Sequence, residues 1–288
     1  MAQFDFYKAF TRNIGWVTRN EQDVLRGKRV AIAGLGGVGG VHLLTLARLG
    51  IGKFTLADFD VFDLPNFNRQ VGATLSSIGQ PKLEVMIQMA REINPDLDIR
   101  PFPQGVSRAN LDEFLADVDL YVDGLDFFVL DLRQAVFAAC REKGIPAITV
   151  APLGMGAALL NFLPDGMSFE QYFGMDDAPE GEKALRFFIG LAPARLQMGY
   201  LVDPSRIDIQ AKKGPSTMIA CQICSGVCGA EALKILLGRG KVYAAPWGIH
   251  FDAYKNRLAR TWRPGGNDRN PLLRLALNLA RTRLLGNP

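Results

Sequence analysis

Three groups of residues in this 288-residue chain have the types and spacing of a site that handles phosphate. The first is the glycine run Gly34-Leu-Gly36-Gly37-Val-Gly39, which satisfies G-x-G-x-x-G. Such a run lets the backbone turn tightly and come close to a phosphate. The helix N-terminus behind it offers free N–H groups and a partial positive charge. Asp58 follows at the end of the next strand, where a carboxylate accepts hydrogen bonds from ribose hydroxyls. Alone, this pattern fits NAD, FAD or ATP. The second group is Asn66, Arg69 and Lys82. Arginine brings a forked pair of donors to phosphate oxygens and lysine a compact charge, which suits a triphosphate. A nicotinamide enzyme has no need of them behind its ribose acid. The third group is Asp123 and Asp126 in DLYVDGLD, just past a strand's carboxyl end, where α/β sheets keep their ligands. Hard oxygen donors beside phosphates suit Mg²⁺. The alternative for either acid is a helix cap or a solvated loop.

The elements that must hold these groups alternate along the chain. Residues 4–26 read as largely helical, with a capping box at Thr18-Arg-Asn-Glu21 and Gly27 as the stop. KRVAIAGL (28–35) reads as a buried strand, followed by the glycine loop, an apolar helix through Leu49 and a strand at 54–58. Helices at 81–93, 109–116 and 130–143 then alternate with strands at 99–103, 119–123 and 147–151. This alternation predicts an α/β, Rossmann-like, doubly wound and mostly parallel sheet with helices on both faces. Residues 161–215 are broken by many prolines and glycines and read as a loop-rich insertion. A helix returns at 220–237, then a strand-like run at 248–253, and residues 271–285 read as an amphipathic tail helix. The expected organisation is one domain. It has a helical arm (1–27), a nucleotide-binding core (28–160), the insertion (161–215), and a last part (216–288) with core helix, strand and tail.

Composition bounds the rest. Hydrophobic residues at 48% and charged residues at 22% exclude a disordered chain, a coiled coil and a collagen-like fibre. The longest apolar stretch, 145–163, is broken by Pro146, Pro152, Gly154 and Gly156, so no membrane span is expected. The N-terminus carries acids and aromatics in place of a secretory signal, and four cysteines make no disulfide framework, so the cytoplasm is the expected compartment. Lys plus Arg is 33 and Asp plus Glu is 29, a net charge of +4 with part of the excess near the C-terminus. That leaves RNA open as a substrate without the basic stripe that would argue for it. Cys221, Cys224 and Cys228 share one helix face and the two histidines lie far off in sequence, so a buried stripe of small side chains is expected here in preference to zinc. Phe169, Tyr172, Phe173, Phe187 and Phe188 in the insertion either line a partner groove or form the insertion's own small core.

The string RVAIAGLGGVGG … LADFDVFDLPNFNRQVG … GQPKLEVM … INPDLDI … DLYVDGLD resembles the ThiF/MoeB/HesA family, bacterial relatives of the ubiquitin-activating enzymes. Separated motifs appear in order over residues 10–155, and Cys221–Gly240 resembles the family's later core helix. The resemblance implies an ATP- and Mg²⁺-dependent adenylyltransferase. Its substrate would be a C-terminal carboxylate, usually the Gly-Gly end of a small ubiquitin-fold protein, and it would release pyrophosphate. It implies that Gly34, Gly36, Gly37 and Gly39 cradle the nucleotide and Asp58 holds the ribose. Asn66 and Arg69 would contact phosphates with Gln70 supporting the loop. Lys82 would stabilise attack on the α-phosphorus and Asp126 would organise Mg²⁺. It also implies a homodimer in which Arg12 enters the partner's ATP site; an ordinary surface arginine is the alternative.

The sequence departs from the family in four places, one being the segment 161–215, which has no counterpart in the thiazole or molybdopterin enzymes. One Cys-x-x-Cys pair stands where many members have two. Residues 152–220 hold no cysteine, so no thioester on the enzyme's own thiol is expected. The family's common Asp-Asn pair reads Asp126-Phe127. Three other readings stay open. One is an enzyme like the tRNA threonylcarbamoyladenosine dehydratases, which adenylate a nucleoside carboxylate. Another is a nicotinamide-dependent oxidoreductase, which leaves Arg69, Lys82 and Asp126 unexplained. The last is a catalytically silent scaffold.

Overall fold

The computed structural model describes residues 4–176, 178–207 and 214–269, together with Leu275. The tail helix expected at 271–285 lies outside the described residues. The described chain forms an eight-stranded sheet in the order β3-β2-β1-β4-β5-β6-β7-β8. Strands β1 (Arg29–Ala33), β2 (Lys53–Ala57), β3 (Asp98–Phe102), β4 (Leu120–Asp123) and β5 (Ala147–Leu153) run parallel. They lie within two residues of the expected positions. β6 (Gly156–Phe162), β7 (Trp247–Asp252) and β8 (Arg257–Trp262) continue the sheet antiparallel.

From β1 the chain steps outward to β3, then returns to place β4 on the other side of β1. The crevice where the winding reverses is where open α/β sheets bind ligands. Register brings the ends of three strands abreast there: Ala33 pairs with Ala57 on one side and Asp123 on the other.

The helices are α1 (Phe6–Ala9), α2 (Arg19–Gly27), α3 (Gly37–Arg48), α4 (Lys82–Ile93), α5 (Leu111–Phe114), α6 (Leu130–Glu142), α7 (Phe169–Phe173), α8 (Glu180–Leu191) and α9 (Met218–Leu236). α2 starts with the expected capping box, Thr18 and Glu21 each accepting the other's backbone N–H. Side chains of α3, α4 and α9 fill one face of the sheet with Val30, Ile32, Leu56, Val122 and Ile148. Side chains of α5 to α8 fill the other face with Ala31, Ala33, Tyr121 and Leu160.

α9 is long and apolar enough to cross a membrane by length and composition, which the broken 145–163 stretch did not foreshadow. Half of it is buried inside the protein, and Cys224, Cys228, Ala232 and Leu236 belong to the core.

Two strands, β6 and β8, depart from the sequence reading. The insertion was expected to begin at 161, but the chain first folds back through β6, turning at Gly154 with φ +61. β4 pairs only with residues 147–149 of β5, so Pro152 lies beyond that ladder and costs it no hydrogen bond. The excursion therefore starts at Leu163. It carries α7, α8 and 3-10 turns at Leu196–Gly199 and Pro204–Arg206. Its aromatic residues form neither an open groove nor a separate core. Phe169 stacks 4.5 Å from Phe137 of α6 and 5.5 Å from Phe162 of β6, and Phe169, Tyr172, Phe173 and Phe187 are buried in the sheet's own second core layer.

Candidate nucleotide site

Gly34 ends β1 with φ +85, and the following turn enters α3 at Gly37. A Cβ on Gly39 would collide with the Gly34 carbonyl, and one on Gly34 would collide with the carbonyl of Gly124 after β4. The glycines therefore let the β1 and β4 ends close on each other at the crevice. Gly36 and Gly37 do something else. A Cβ on Gly36 would sit 3.5 Å from Gln70 Nε2, and one on Gly37 3.1 Å from Cys221 Sγ and 3.6 Å from Arg69 Cγ. The two glycines thus let Gln70, Arg69 and Cys221 pack close against the turn as a wall.

Arg69 and Gln70 reach that wall because residues 63–70 form a compact turn. Asp63 and Asn66 cap each other, Asn66 Oδ1 accepting the Asp63 N–H at 3.0 Å. The Asn66 carbonyl accepts the N–H groups of Arg69 at 3.1 Å and Gln70 at 2.9 Å. Arg69 spends Nη1 on the Pro65 carbonyl (3.0 Å) and Asn68 Oδ1 (3.1 Å), which fixes the guanidinium beside the glycine loop. Burial pushes the Cys221 thiol above its ordinary pKa, and the Arg69 charge opposes that shift.

On the other side of the loop runs a continuous line of hydrogen bonds. The Leu35 N–H donates to Asp58 Oδ2 at 2.6 Å, the Asp60 N–H donates to Asp58 Oδ1 at 2.8 Å, and Lys82 Nζ donates to Asp60 Oδ2 at 3.0 Å. Burial raises the Asp58 carboxyl above the usual range; the two N–H donors and the Lys82 charge pull it back. Each Asp58 oxygen keeps lone-pair capacity for a hydroxyl donor. The role of Asp60 was not legible in the sequence. Its only signal was the spacing D-x-D behind β2.

Beyond β4 the two acids separate. Asp123 is buried and bonded to Arg133 Nε at 2.8 Å and Thr149 Oγ1 at 2.9 Å, so it is held as a structural anchor. Asp126 is exposed; one carboxylate oxygen accepts the Phe128 N–H at 3.0 Å. It is the acid at this strand end that still faces outward, which suits a hard cation held largely by phosphate. Among the described residues no cluster of three or more His, Cys, Asp or Glu is placed to hold a metal by itself.

Arg12 is not with the others. It lies exposed in the 3-10 turn Thr11–Asn13, and Asn13 donates to the Arg48 carbonyl at 3.1 Å. That is the far end of α3 from Gly37, and twelve residues at ~1.5 Å each put about 18 Å between them. Arg133 and Thr149, which anchor the β4 end, were missed: an arginine inside a helix and a threonine inside a strand carry no sequence signal.

The ThiF family pattern matches residues 10–272. The chain belongs to the ThiF family. Among curated ThiF relatives, the SAMP-activating enzyme E1 of Haloferax volcanii is 32% identical over 159 residues, 55% of this chain and 57% of that protein. The tRNA threonylcarbamoyladenosine dehydratase of Bacillus subtilis is 31% identical over 150 residues, 52% of this chain and 57% of that protein. The match thus spans little more than half the length of either. In fold, the solved structure of E. coli MccB with ATP superposes with a TM-score of 0.63 at 19% identity, covering 88% of this chain and 67% of that one. The Rossmann-like architecture expected from the motifs is that of the family.

Proposed function

We propose that this chain is an ATP- and Mg²⁺-dependent adenylyltransferase that activates the C-terminal carboxylate of a small ubiquitin-fold or sulfur-carrier protein ending in Gly-Gly, and that it works as a homodimer. The observation that carries this reading is the convergence on one glycine turn of Asp58, Asp60 and Lys82 from one side and Arg69 and Gln70 from the other. A ribose acid and two cations around one loop match a nucleoside triphosphate and leave a nicotinamide reading with two unexplained charges. ThiF membership, the SAMP-activating relative and the fold shared with MccB, solved with ATP, support it.

A carboxylate is a poor electrophile because its leaving group would be oxide. In the proposed reaction a carboxylate oxygen bonds to the α-phosphorus as the bond to the bridging oxygen breaks. Pyrophosphate leaves with the electron pair, giving an acyl-adenylate. Positioning and charge neutralisation carry such chemistry, and no protein nucleophile is needed. Lys82 and Arg69 would hold the phosphates in line, Asp58 would fix the ribose, and the Gly36–Gly37 backbone, free of side chains, would come close to the phosphates. Asp126 fits Mg²⁺ by donor type and exposure; bound there, the metal would neutralise charge on the departing pyrophosphate. All four cysteines are buried, and burial raises the thiols of Cys140, Cys221, Cys224 and Cys228, which supports release of the adenylate without a thioester on the enzyme.

The test is ATP–pyrophosphate exchange with Gly-Gly-ending ubiquitin-fold proteins. Exchange that depends on the carrier and is lost when its terminal glycines are removed is expected. A second reading keeps the same nucleotide site with a carboxylate on a modified tRNA nucleoside, and the dehydratase relative favours it. Exchange driven by that tRNA and by none of the carriers would establish it over the first.

A further inference from the structure

Arg133 occupies a position that packing alone does not explain. Its side chain and that of Asp123 are each 2% exposed. While Nε binds Asp123, Nη2 donates to the carbonyls of Leu125 (2.7 Å) and Asp126 (3.1 Å), and Nη1 to that of Phe127 (3.3 Å). The guanidinium therefore bolts the 124–129 loop to β4, and that loop presents Asp126 to the crevice. The guanidinium carbon lies 4.7 Å over the ring of Phe187, which belongs to α8 of the insertion.

The same loop meets α8 a second time. The Phe127 ring is 5.2 Å from Phe187 and 6.3 Å from Phe188. Through the Phe127 ring the loop thus docks directly on the insertion. Two polar contacts tie the first turns of α6 to the same region: Lys183 Nζ to Asp131 Oδ1 at 2.6 Å and Gln134 Nε2 to Asp176 Oδ1 at 3.1 Å.

We infer that the insertion helix α8 positions Asp126, acting through the Arg133 guanidinium and the Phe127 ring. Arg133, Phe127 and Phe187 are positioning residues. Each acts on the direction in which the Asp126 carboxylate points. This rests on reading the crevice as an ATP site with Asp126 as its metal acid. The insertion is then part of the nucleotide site's scaffold, and a change in α8 is felt by the metal-dependent part of nucleotide binding.

The experiment titrates ATP calorimetrically into the wild type, Phe187→Leu, Phe187→Tyr, Phe127→Asn and Arg133→Lys, once in excess Mg²⁺ and once in EDTA. Hydrogen exchange of the 124–129 amides is followed in parallel. Removing an outer support of a metal ligand characteristically costs on the order of 10-fold in affinity. Phe187→Leu and Phe127→Asn should show that loss in Mg²⁺, unchanged affinity in EDTA and faster exchange over 124–129. Phe187→Tyr, which keeps a ring under the guanidinium, should restore all three. Equal losses in both arms, or unchanged exchange in the loop, would overturn the inference. The Phe187 and Phe127 variants decide it even if Arg133→Lys fails to fold. If the wild type binds no ATP in either arm, the nucleotide reading fails, and the amide exchange still tests the mechanical link from α8 to Asp126.

Discussion

Lys82 and Asp60 clasp each other at two levels: Nζ lies 3.0 Å from Asp60 Oδ2, and the Lys82 N–H donates to the Asp60 carbonyl at 2.9 Å. The lysine side chain is 8% exposed and the aspartate 56%. The ammonium is thus held from below by an acid that itself faces water, and a phosphate arriving from the crevice meets a cation already aimed. We expect Lys82→Met to lower ATP–pyrophosphate exchange by at least ~100-fold, the scale of removing one donor to developing transition-state charge. Because the abandoned Asp60 stays solvated, unfolding stability should move by no more than about 1 kcal/mol. Denaturant melts alongside exchange assays check both. A variant that kept exchange near the wild-type rate would remove Lys82 from the reaction.

The glycines divide by what lies opposite them. Gly36→Ala has ordinary space, with Gln70 Nε2 at 3.5 Å, whereas Gly39→Ala drives its methyl into the Gly34 carbonyl. Gly36→Ala should leave the melting temperature unchanged and weaken ATP binding, since its methyl would stand between the turn's backbone and an arriving phosphate. Gly39→Ala should destabilise the fold by several kcal/mol, the scale of overpacking a site that cannot relax. Equal melting temperatures for the two variants would contradict this division.

Asp126→Ala separates chemistry from fold in another way. The carboxylate is exposed and, among the described residues, holds only the Phe128 N–H, a local cap. Its loss should cost about 1 kcal/mol of stability while abolishing carrier-dependent exchange. If exchange persisted at near-normal rates, the metal assignment at Asp126 would be wrong.

How far the sequence reached is best seen at the two strand ends that face each other across the crevice. The β1 side was legible in its elements, because glycine spacing, the acid after β2 and a buried apolar strand each leave a pattern of residue types. The β4 side was half legible. Asp123 and Asp126 looked equivalent in DLYVDGLD, and only the tertiary partner Arg133 separates a buried anchor from an outward acid. β6 hid inside an apolar run that proline and glycine seemed to break. β8 half-buries only Ala259 and Thr261 and exposes Leu258 and Trp262, so its residue types lack the apolar-in, polar-out alternation that marks a half-buried strand.

His42 gives a pH signature. It lies fully buried on α3 with both ring nitrogens unpartnered, and burial pushes its pKa down to about 3. The unfolded chain therefore takes up this proton first. The stability associated with the neutral ring is fully present above about pH 6.5 and is lost as the pH falls toward 3, at up to about 1.4 kcal/mol per pH unit. His250 shifts in the same direction, again by burial, and adds to the slope. We expect His42→Leu to flatten the acid limb of a urea-stability profile between pH 6 and pH 4 without loss at pH 7. A limb as steep as the wild type's would assign acid sensitivity to other groups.

Arg12 poses the sharpest question about assembly. In its own chain the turn that carries it is tied to the far end of α3 from the glycine loop, about 18 Å of helix away. Either it has no part in catalysis or it serves a second copy of the chain. A guanidinium supplied in trans would neutralise phosphate charge as an arginine finger does, an effect worth on the order of 10³-fold or more in rate. Arg12→Ala and Asp126→Ala should then each be inactive alone and complement when mixed. At equal mixing half the dimers are mixed, and each of those has one site with Asp126 from one subunit and Arg12 from the other. Activity should recover to about a quarter of the wild-type value per chain, given free subunit exchange and independent sites. Mass-labelled chains establish that exchange occurred. Full exchange with no recovery would place Arg12 outside the reaction.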